Sequence, residues 1–190
     1  MENYEETSVN TEKKQSKLVA ELIDWAKSIV GAAIIVGIVF GFIISSIRVD
    51  GSSMEPTLHH EDRLIAYKLM YEPKQGDIVI LDENSGLNTA LVKRVIALEG
   101  QTVDVTEDGK VLVDGKELSE DYIAEPHTKY SVGFHEYPVT VPEDCVFVMG
   151  DNRNHSTDSR FHQISFVDKD TIMGKVVFRM YPFSDIGIVK

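Results

Sequence analysis

Cysteine is almost absent from this chain of 190 residues, which contains only Cys145. A disulfide within the chain is therefore excluded, and a domain outside the cytoplasm must be stable without one. Cys145 begins an apolar run over residues 145–149, so we interpret it as a small buried hydrophobic residue rather than a nucleophile. The chain also lacks a cysteine pair and an HExxH motif, which argues against a zinc site and favours surface histidines at His59-His60-Glu61-Asp62.

Positive charge is in deficit as well, with 19 Lys and Arg against 31 Asp and Glu and a net charge of −12. Binding to nucleic acid needs a clustered basic surface, so no nucleic-acid partner is expected. The hydrophobic content of 43% and the charged content of 26% are typical of a chain that folds. The length fits one membrane anchor and one domain of ordinary size.

Charged residues are missing altogether from residues 28–47. As a helix this run would span ~30 Å, which is the thickness of the hydrocarbon core of a bilayer. A cleaved signal peptide is the alternative, but its apolar core usually has only ~7–15 residues, so an uncleaved anchor is favoured. Gly37 and Gly41 form a GxxxG pair, a weak candidate for a helix-packing face because glycine is common in such helices.

The residues before this run differ from those after it. Residues 1–17 are polar and predict a disordered tail, and residues 18–27 contain Trp25 at apolar spacing typical of a membrane interface. Four lysines precede the run, whereas Arg48 alone follows it closely. This excess predicts a cell-membrane protein with a single span, a cytoplasmic N-terminus at residues 1–27 and an extracytoplasmic domain at residues 48–190.

The pattern beyond residue 47 predicts a mainly β fold without a repeat or a long amphipathic helix. Short apolar or β-branched runs at 78–81, 89–98, 146–149 and 172–181 have the length of strands. Asp108-Gly109 and Asp114-Gly115 predict tight hairpins, and residues 117–140 read as loops with short strands. We expect a barrel-like antiparallel sheet with a smaller β insertion at residues 99–142.

Three stretches carry candidate chemistry. Residues 51–58 contain the adjacent Ser52 and Ser53, and alone they are as typical of a linker as of a site. Lys93 shares one face of its strand with apolar residues only, so its side chain either extends to solvent at a sheet edge or lies in a dry site. Burial would lower its pKa at a cost of about 1.4 kcal/mol per unit, and a neutral amine beside a serine can act as a general base.

The third stretch, residues 150–160, is a polar loop directly after an apolar run. It is either a solvated turn or part of a site. In a site, Ser156 could form a hydrogen bond with a buried amine, and Asp158 could form an ion pair with Arg160 or Arg153. A triad of Ser53, His155 and Asp158 is an alternative by residue type. The short separation of His155 and Asp158 in the sequence argues against it.

In this order behind an anchor, the stretches resemble the type I signal peptidases, membrane proteases with a Ser/Lys dyad, in the short single-anchor form of Gram-positive bacteria. The matching residues are Ser53-Met54-Glu55-Pro56-Thr57-Leu58, Gly76-Asp77-Ile78-Val79, Val92-Lys93-Arg94-Val95-Ile96, Gly150-Asp151-Asn152-Arg153, Ser156 and Asp158-Ser159-Arg160. The sequence departs from the family pattern at Ala97-Leu98-Glu99-Gly100-Gln101 and at Phe161-His162-Gln163-Ile164, which affects local turns but not the dyad.

The resemblance implies a role for each matching residue. Ser53 would be the nucleophile and Lys93 the general base, with the Ser53 backbone N–H in the oxyanion hole. Some relatives place a hydroxyl two residues earlier, where this chain has Gly51. The supporting residues would be Ser156 bonded to Lys93, Asp158 and Arg160 holding the loop, and Gly150 and Asp151. The residues implied to line the substrate pocket are Leu58, Leu91 and Val92.

By the same resemblance the protein would be a serine endopeptidase, without metal or cofactor, that removes signal peptides from secreted preproteins by cutting after small residues at −3 and −1. Its partners would be these preproteins and the lipid bilayer, with a functional link to the secretion translocon. One alternative is an inert anchored relative that binds preproteins, although both dyad residues are present. A soluble self-cleaving Ser/Lys repressor relative is the other, and the apolar span and the lack of a DNA-binding half argue against it.

Overall fold

The structure is a computed structural model that describes residues 2–125 and 136–189, apart from the side chains of residues 2–16 and 39. Its contacts divide the chain into two units, Met1–Ile43 and Ile44–Lys190. Of the loops predicted at 117–140, residues 126–135 lie outside the described part.

The first unit is one long helix. Helix α1 covers Glu2–Ile38 and is followed by a π-helical turn at Val39–Ile43. Within the described residues, Lys17–Ile43 is the helical stretch long and apolar enough to cross a membrane, with a mean hydropathy of 2.2 over an 18-residue window inside it. The predicted disordered tail at 1–17 is wrong, because α1 begins at Glu2. Residues 2–30 contain neither proline nor glycine, so the helix propagates without interruption from its apolar part.

The sequence predicts that the apolar run is helical up to residue 47. The structure differs, because the helical part ends at residue 43. Ile44–Arg48 forms a strand that pairs antiparallel with Arg63–Tyr67. The strand satisfies its backbone groups through this pairing, and Ile47 packs against a buried core cluster. Strand pairing and burial therefore override the helical pattern over these last residues of the predicted span.

Twelve strands lie in the described part of the second unit. They are β1 Ile44–Arg48, β2 Arg63–Tyr67, β3 Ile78–Leu81, β4 Leu91–Leu98, β5 Thr102–Val105, β6 Val111–Val113, β7 Lys116–Glu117, β8 Val139–Thr140, β9 Cys145–Met149, β10 Val167–Asp168, β11 Ile172–Tyr181 and β12 Gly187–Ile188. Short 3₁₀ turns occupy Glu83–Ser85, Lys169–Thr171 and Phe183–Asp185.

The larger sheet has the order β1-β2-β11-β3-β4-β9-β10, with β12 paired to β11, and its pairs are antiparallel. Breaks in register interrupt the pairing of β4 with β9 and of β11 with β2 and β3. Such bulges increase the local twist and curl the sheet. The predicted mainly β, antiparallel fold is confirmed.

The smaller sheet has the order β7-β6-β5-β8. All four strands fall inside residues 99–142, the stretch in which the sequence predicts a β insertion. Asp108-Gly109 and Asp114-Gly115 lie at the turns that join β5 to β6 and β6 to β7, as their turn chemistry predicts.

Buried side chains form three clusters around the large sheet. The first contains Met54, Leu58 and Val92, the second lies between β4 and the insertion, and the third contains Val79, Val95 and Ile164. Cys145 is half-buried and packs against the second cluster, so it is less buried than its apolar run predicts. Strand β4 contributes residues to all three clusters, which places it at the centre of the domain.

Candidate active site

The Lys93 amine lies beside the Ser53 hydroxyl. Lys93 Nζ donates to Ser53 Oγ at 2.8 Å and to the carbonyl oxygen of Val92 at 3.2 Å. The Lys93 side chain does not extend to solvent, because the residue is only 2% exposed on the central strand β4. Of the two interpretations that the sequence leaves open, the dry site is the one that the structure shows.

The surroundings of Lys93 favour the neutral amine. Burial lowers the pKa of Lys93 below its ordinary value, and the nearby Arg160 guanidinium lowers it further. The carboxylates of Asp158 and Asp151 act in the opposite direction but do not reverse the shift in this pKa. A neutral amine in contact with a serine hydroxyl can accept its proton.

The segment that carries Ser53 is a tight turn fixed by core packing and by hydrogen bonds from Asn152. Met54 and Leu58 are buried in the first core cluster, and the Leu58 N–H donates to the carbonyl oxygen of Met54 at 2.9 Å. From the side, the Asn152 backbone N–H donates to the Ser53 carbonyl oxygen at 3.0 Å and its side-chain amide donates to the Ser52 carbonyl oxygen at 3.1 Å. The turn therefore presents the Ser53 hydroxyl with its backbone fixed.

The loop at residues 150–160 is not a solvated turn. Asp158 is fully buried and accepts from Arg160 Nε at 2.7 Å, from Arg160 Nη2 at 2.8 Å and from the Gly150 N–H at 2.9 Å. The partner of Asp158 is thus Arg160 rather than Arg153. Burial would raise the pKa of Asp158, but the Arg160 guanidinium and the Gly150 amide hold this pKa below its ordinary value.

Asp151 links this loop to the strand of Lys93. Its carboxylate accepts from Arg94 Nε at 2.8 Å, from Arg94 Nη2 at 2.7 Å and from the Thr57 hydroxyl at 2.5 Å. Arg94 follows Lys93 on β4, and Thr57 belongs to the Ser53 turn. One buried carboxylate therefore connects the three stretches that the sequence singles out.

The predicted hydrogen bond between the Ser156 hydroxyl and the Lys93 amine does not form in this structure. Ser156 is buried, and its hydroxyl contributes to the lowered pKa of the Asp158 carboxylate rather than bonding to the Lys93 amine. It lies against Gly150, where a Cβ atom would overlap both the Ser156 hydroxyl and the Ser53 carbonyl oxygen. Glycine at position 150 thus lets the loop approach Ser53 closely.

The histidine alternatives find no support. His155 is exposed, while the Ser53 hydroxyl contacts Lys93 and the Asp158 carboxylate contacts Arg160. His59 and His60 are exposed, and the described residues contain no cluster of His, Cys, Asp and Glu suited to a metal. His127 and His135 lie outside the described residues.

A cleft of about 210 Å³ opens beside Ser53 and Lys93. Leu91 and Val92 line it, together with residues of β1 and of the segment before β4. Leu58 does not line this cleft, since it is 0% exposed in the core beneath the Ser53 turn.

Comparison with known proteins shows the family to which the chain belongs. Residues 22–181 match the family described as signal peptidase, peptidase S26. The chain belongs to this family. It is 37% identical to signal peptidase I of Bacillus amyloliquefaciens, over 96% of this chain and 100% of that protein. It is 38% identical to signal peptidase I of Bacillus licheniformis, over 93% of this chain and 97% of that protein. A solved signal peptidase I from Enterococcus faecalis V583 is 32% identical, with a TM-score of 0.47 over 55% of this chain and 97% of the other.

The family resemblance predicted from the sequence is confirmed, and with it the enzyme class, a serine hydrolase of the signal peptidase I type. The named relatives favour neither an inert binding protein nor a self-cleaving repressor. The departures from the family pattern are accommodated locally. Gln101 closes its own turn, since its side chain accepts from the Leu98 N–H at 2.9 Å, and Gly86 fits tightly against the Gln163 backbone.

Sequence reasoning missed several residues of this peptidase site. Asn152, Arg94 and Thr57 lie inside the matching stretches, but nothing in a linear pattern shows that they join one stretch to another. Glu120 and Tyr122, which contact Arg153 and Arg94, lie outside every matching stretch. Their only sequence signal is an acid and an aromatic residue in a polar segment.

Asp158→Asn is expected to lower the free energy of unfolding by about 3 kcal/mol at neutral pH, because it leaves the buried Arg160 charge unpaired. Since the folded-state pKa of Asp158 is lowered, its carboxylate stabilises the wild type above the unfolded pKa, near 3.8, and this contribution is lost as pH falls through the folded pKa. Denaturant unfolding in detergent measures the difference. Asp121→Asn, at an exposed position, is the control and should change stability by less than about 0.5 kcal/mol.

Proposed function

We propose that Ser53 and Lys93 form the catalytic dyad with which this signal peptidase removes N-terminal signal peptides from exported preproteins. The observation that carries the proposal is the 2.8 Å hydrogen bond from a buried lysine, whose pKa is lowered, to the hydroxyl of a half-exposed serine at a cleft. Neutral Lys93 takes the proton from the Ser53 hydroxyl as its oxygen attacks the scissile carbonyl. The resulting tetrahedral intermediate carries its negative charge on the former carbonyl oxygen.

The lysine then gives its proton to the leaving amine, and the C–N bond breaks to leave an acyl ester on Ser53. Water, deprotonated by the same amine, attacks this ester. The ester C–O bond then breaks to release the signal peptide, and the lysine returns its proton to the Ser53 oxygen. The Ser53 backbone N–H is the chain's own donor to the oxyanion. Position 51 carries glycine, so a side-chain hydroxyl from that position is not available, and each such donor is worth roughly 10²–10³ in rate.

The supporting residues have separate positioning roles in this proposal. Asp151 ties the Ser53 turn to β4, and Asp158 with Arg160 keeps the loop at residues 150–160 folded against both. Leu91 and Val92 give the cleft an apolar wall next to the dyad. Cleavage after small residues at −3 and −1 is the specificity that the family resemblance implies for this cleft.

The proposed location is the cell membrane. The apolar part of α1, Lys17–Ile43, acts as a single anchor, with the N-terminus cytoplasmic and the domain that contains the dyad extracytoplasmic. The excess of lysine before residues 28–47 supports the orientation. The bilayer and secreted preproteins are then the partners, and a functional link to the secretion translocon stays a prediction.

Incubation of the detergent-solubilised chain with a labelled preprotein tests the proposed activity. We expect one cut, identified by mass spectrometry, after a small residue at −1. A matched preprotein with phenylalanine at −1 should be cleaved about 100-fold more slowly or worse, because the proposed specificity is for small residues at −1. Equal cleavage of both preproteins would contradict the proposed specificity, and no cleavage of either would contradict the function.

A further inference from the structure

The segment that follows β7 leaves the small sheet and contacts the loop at residues 150–160. Arg153 Nη1 donates to Glu120 Oε2 at 2.8 Å, and Arg153 Nη2 donates to Glu120 Oε1. A second contact joins Asn154 Nδ2 to Glu125 Oε1 at 2.8 Å. These contacts lie inside the second unit, so the insertion and the loop at residues 150–160 are joined directly.

Arg153 depends on Glu120 because it is buried. The residue is only 2% exposed, and its guanidinium forms an ion pair with Glu120. Burial would lower the pKa of Arg153, but the Glu120 carboxylate keeps it above its ordinary value. Removing one partner of a buried ion pair leaves an uncompensated charge, which is far less favourable than an exposed one.

Tyr122 completes this contact from the same segment. The guanidinium carbon of Arg94 lies 3.9 Å from the centre of the Tyr122 ring, and that of Arg153 lies 6.0 Å away. The Tyr122 hydroxyl donates to Glu120 Oε1 at 3.1 Å. Burial raises the pKa of Tyr122, so the hydroxyl keeps the proton that it donates. The ring thus lies against the guanidinium groups of Arg94 and Arg153, and its hydroxyl donates to the carboxylate that pairs with Arg153.

Arg153 passes this restraint on to Ser53 through the backbone of its own loop. Its Nε atom donates to the Gly150 carbonyl oxygen at 3.1 Å. Gly150 packs directly against the Ser53 carbonyl, and the Asn152 N–H donates to that same carbonyl at 3.0 Å. A shift of Arg153 therefore moves the two residues that hold the nucleophile's backbone.

We propose that Glu120 and Tyr122 are positioning residues for the peptidase reaction: by holding Arg153 they fix residues 150–152 against Ser53. The small β insertion then has a part in catalysis without touching the substrate. This inference rests on the proposed function, since the geometry that it maintains is that of the Ser53–Lys93 dyad. Neither residue lines the cleft beside the dyad. The expected effect is therefore on turnover rather than on substrate binding.

Glu120→Gln and Asp121→Asn form a matched pair that tests the inference. Both change one carboxylate to an amide at adjacent positions, but Asp121 is exposed, whereas Glu120 pairs with the buried Arg153. In the full chain in detergent, Glu120→Gln should lower kcat about tenfold and leave KM within about twofold, whereas Asp121→Asn should leave both within about twofold. Equal kcat values for the two variants would overturn the inference.

The route through Arg153 is tested by a double-mutant cycle. In an Arg153→Met background Glu120 has no buried cation to hold, so Glu120→Gln should change kcat by less than about twofold. A tenfold loss that persists in this background would overturn the proposed route. At position 122, Phe keeps the ring and removes only the hydroxyl, so Tyr122→Phe should lose less activity than Tyr122→Leu, and the reverse order would contradict the stacking argument.

Amide hydrogen exchange gives a readout that does not depend on cleavage. Peptides covering residues 150–156 should exchange faster in Glu120→Gln than in Asp121→Asn or the wild type. Unchanged exchange would show that Glu120 does not hold residues 150–152, even if kcat fell. Faster exchange with unchanged kcat would show that holding these residues does not contribute to catalysis. A wild type that cleaves no preprotein would refute the proposed function instead, and exchange would still decide whether Glu120 holds the loop.

Discussion

Replacement of Ser53 by alanine should reduce preprotein cleavage by roughly 10⁴-fold or more, to the detection limit, because no oxygen nucleophile then faces the Lys93 amine. The backbone of the turn should not change. Asn152 holds the carbonyl oxygens of Ser52 and Ser53, neither of which involves the deleted hydroxyl. Loss of activity in a variant with wild-type thermal unfolding would therefore report on chemistry rather than on folding.

The adjacent serine provides the matched control. Ser52→Ala deletes the same hydroxyl one residue earlier, at an exposed position where the structure shows only the backbone carbonyl in a hydrogen bond. We expect it to keep at least about half of the wild-type kcat/KM. The assay is a time course of mature product from a labelled preprotein, run for both variants at equal folded concentration. Loss of cleavage in Ser52→Ala with full cleavage in Ser53→Ala would show that the nucleophile is Ser52 and not Ser53.

Features that depend on neighbours in the sequence could be predicted. Turns at Asp-Gly pairs follow from local backbone preferences, and the strand runs follow from apolar and β-branched composition. The alternation along β4 allows two interpretations of Lys93, a sheet edge open to solvent or a dry site. The dry site follows if both edges of β4 are paired with other strands. The structure selects it through β3 and β9, which cover those edges.

Features that depend on distant contacts could not be predicted. Ile44–Arg48 reads as the end of an apolar helix, and only its pairing with β2 makes it a strand. Leu58 resembles a pocket residue by motif, yet the Ser53 turn directs it into the core. Glu120 lies 33 residues from Arg153 in the sequence, and no periodicity links the two positions. In each case the deciding partner lies elsewhere in the chain.

The three buried ion pairs explain how a lysine with a lowered pKa is held beside a serine. Arg94 pairs with Asp151, Arg160 with Asp158 and Arg153 with Glu120. Each cation has its own carboxylate, so none of these acids is left to form an ion pair with Lys93. The residual attraction of Asp158 and Asp151 is weaker than the effect of burial on the Lys93 pKa. The site therefore combines three ion pairs with a lysine whose pKa is lowered.

Lys93→Met should lower kcat by roughly 10³-fold or more, because it removes the general base while keeping an unbranched side chain of similar length. Lys116→Met, on the exposed strand β7, makes the same substitution away from the dyad and should leave kcat within about twofold. In the wild type, kcat/KM should rise with pH and level off above the lowered pKa of Lys93, since only the neutral amine accepts the serine proton. A rate at about pH 5 equal to that at about pH 8 would exclude Lys93 as the base.

The same substitution should stabilise the fold, which separates loss of chemistry from loss of structure. Because the folded-state pKa of Lys93 lies below its ordinary value of 10.5, the unfolded chain binds the proton more tightly than the folded protein. The wild type is penalised fully below the folded pKa, and the penalty disappears as pH approaches 10.5. Lys93→Met should therefore have the larger free energy of unfolding at neutral pH, with a difference that shrinks toward alkaline pH. A difference that stayed constant with pH would show that the Lys93 pKa is not lowered, and the neutral-base mechanism would lose its physical basis.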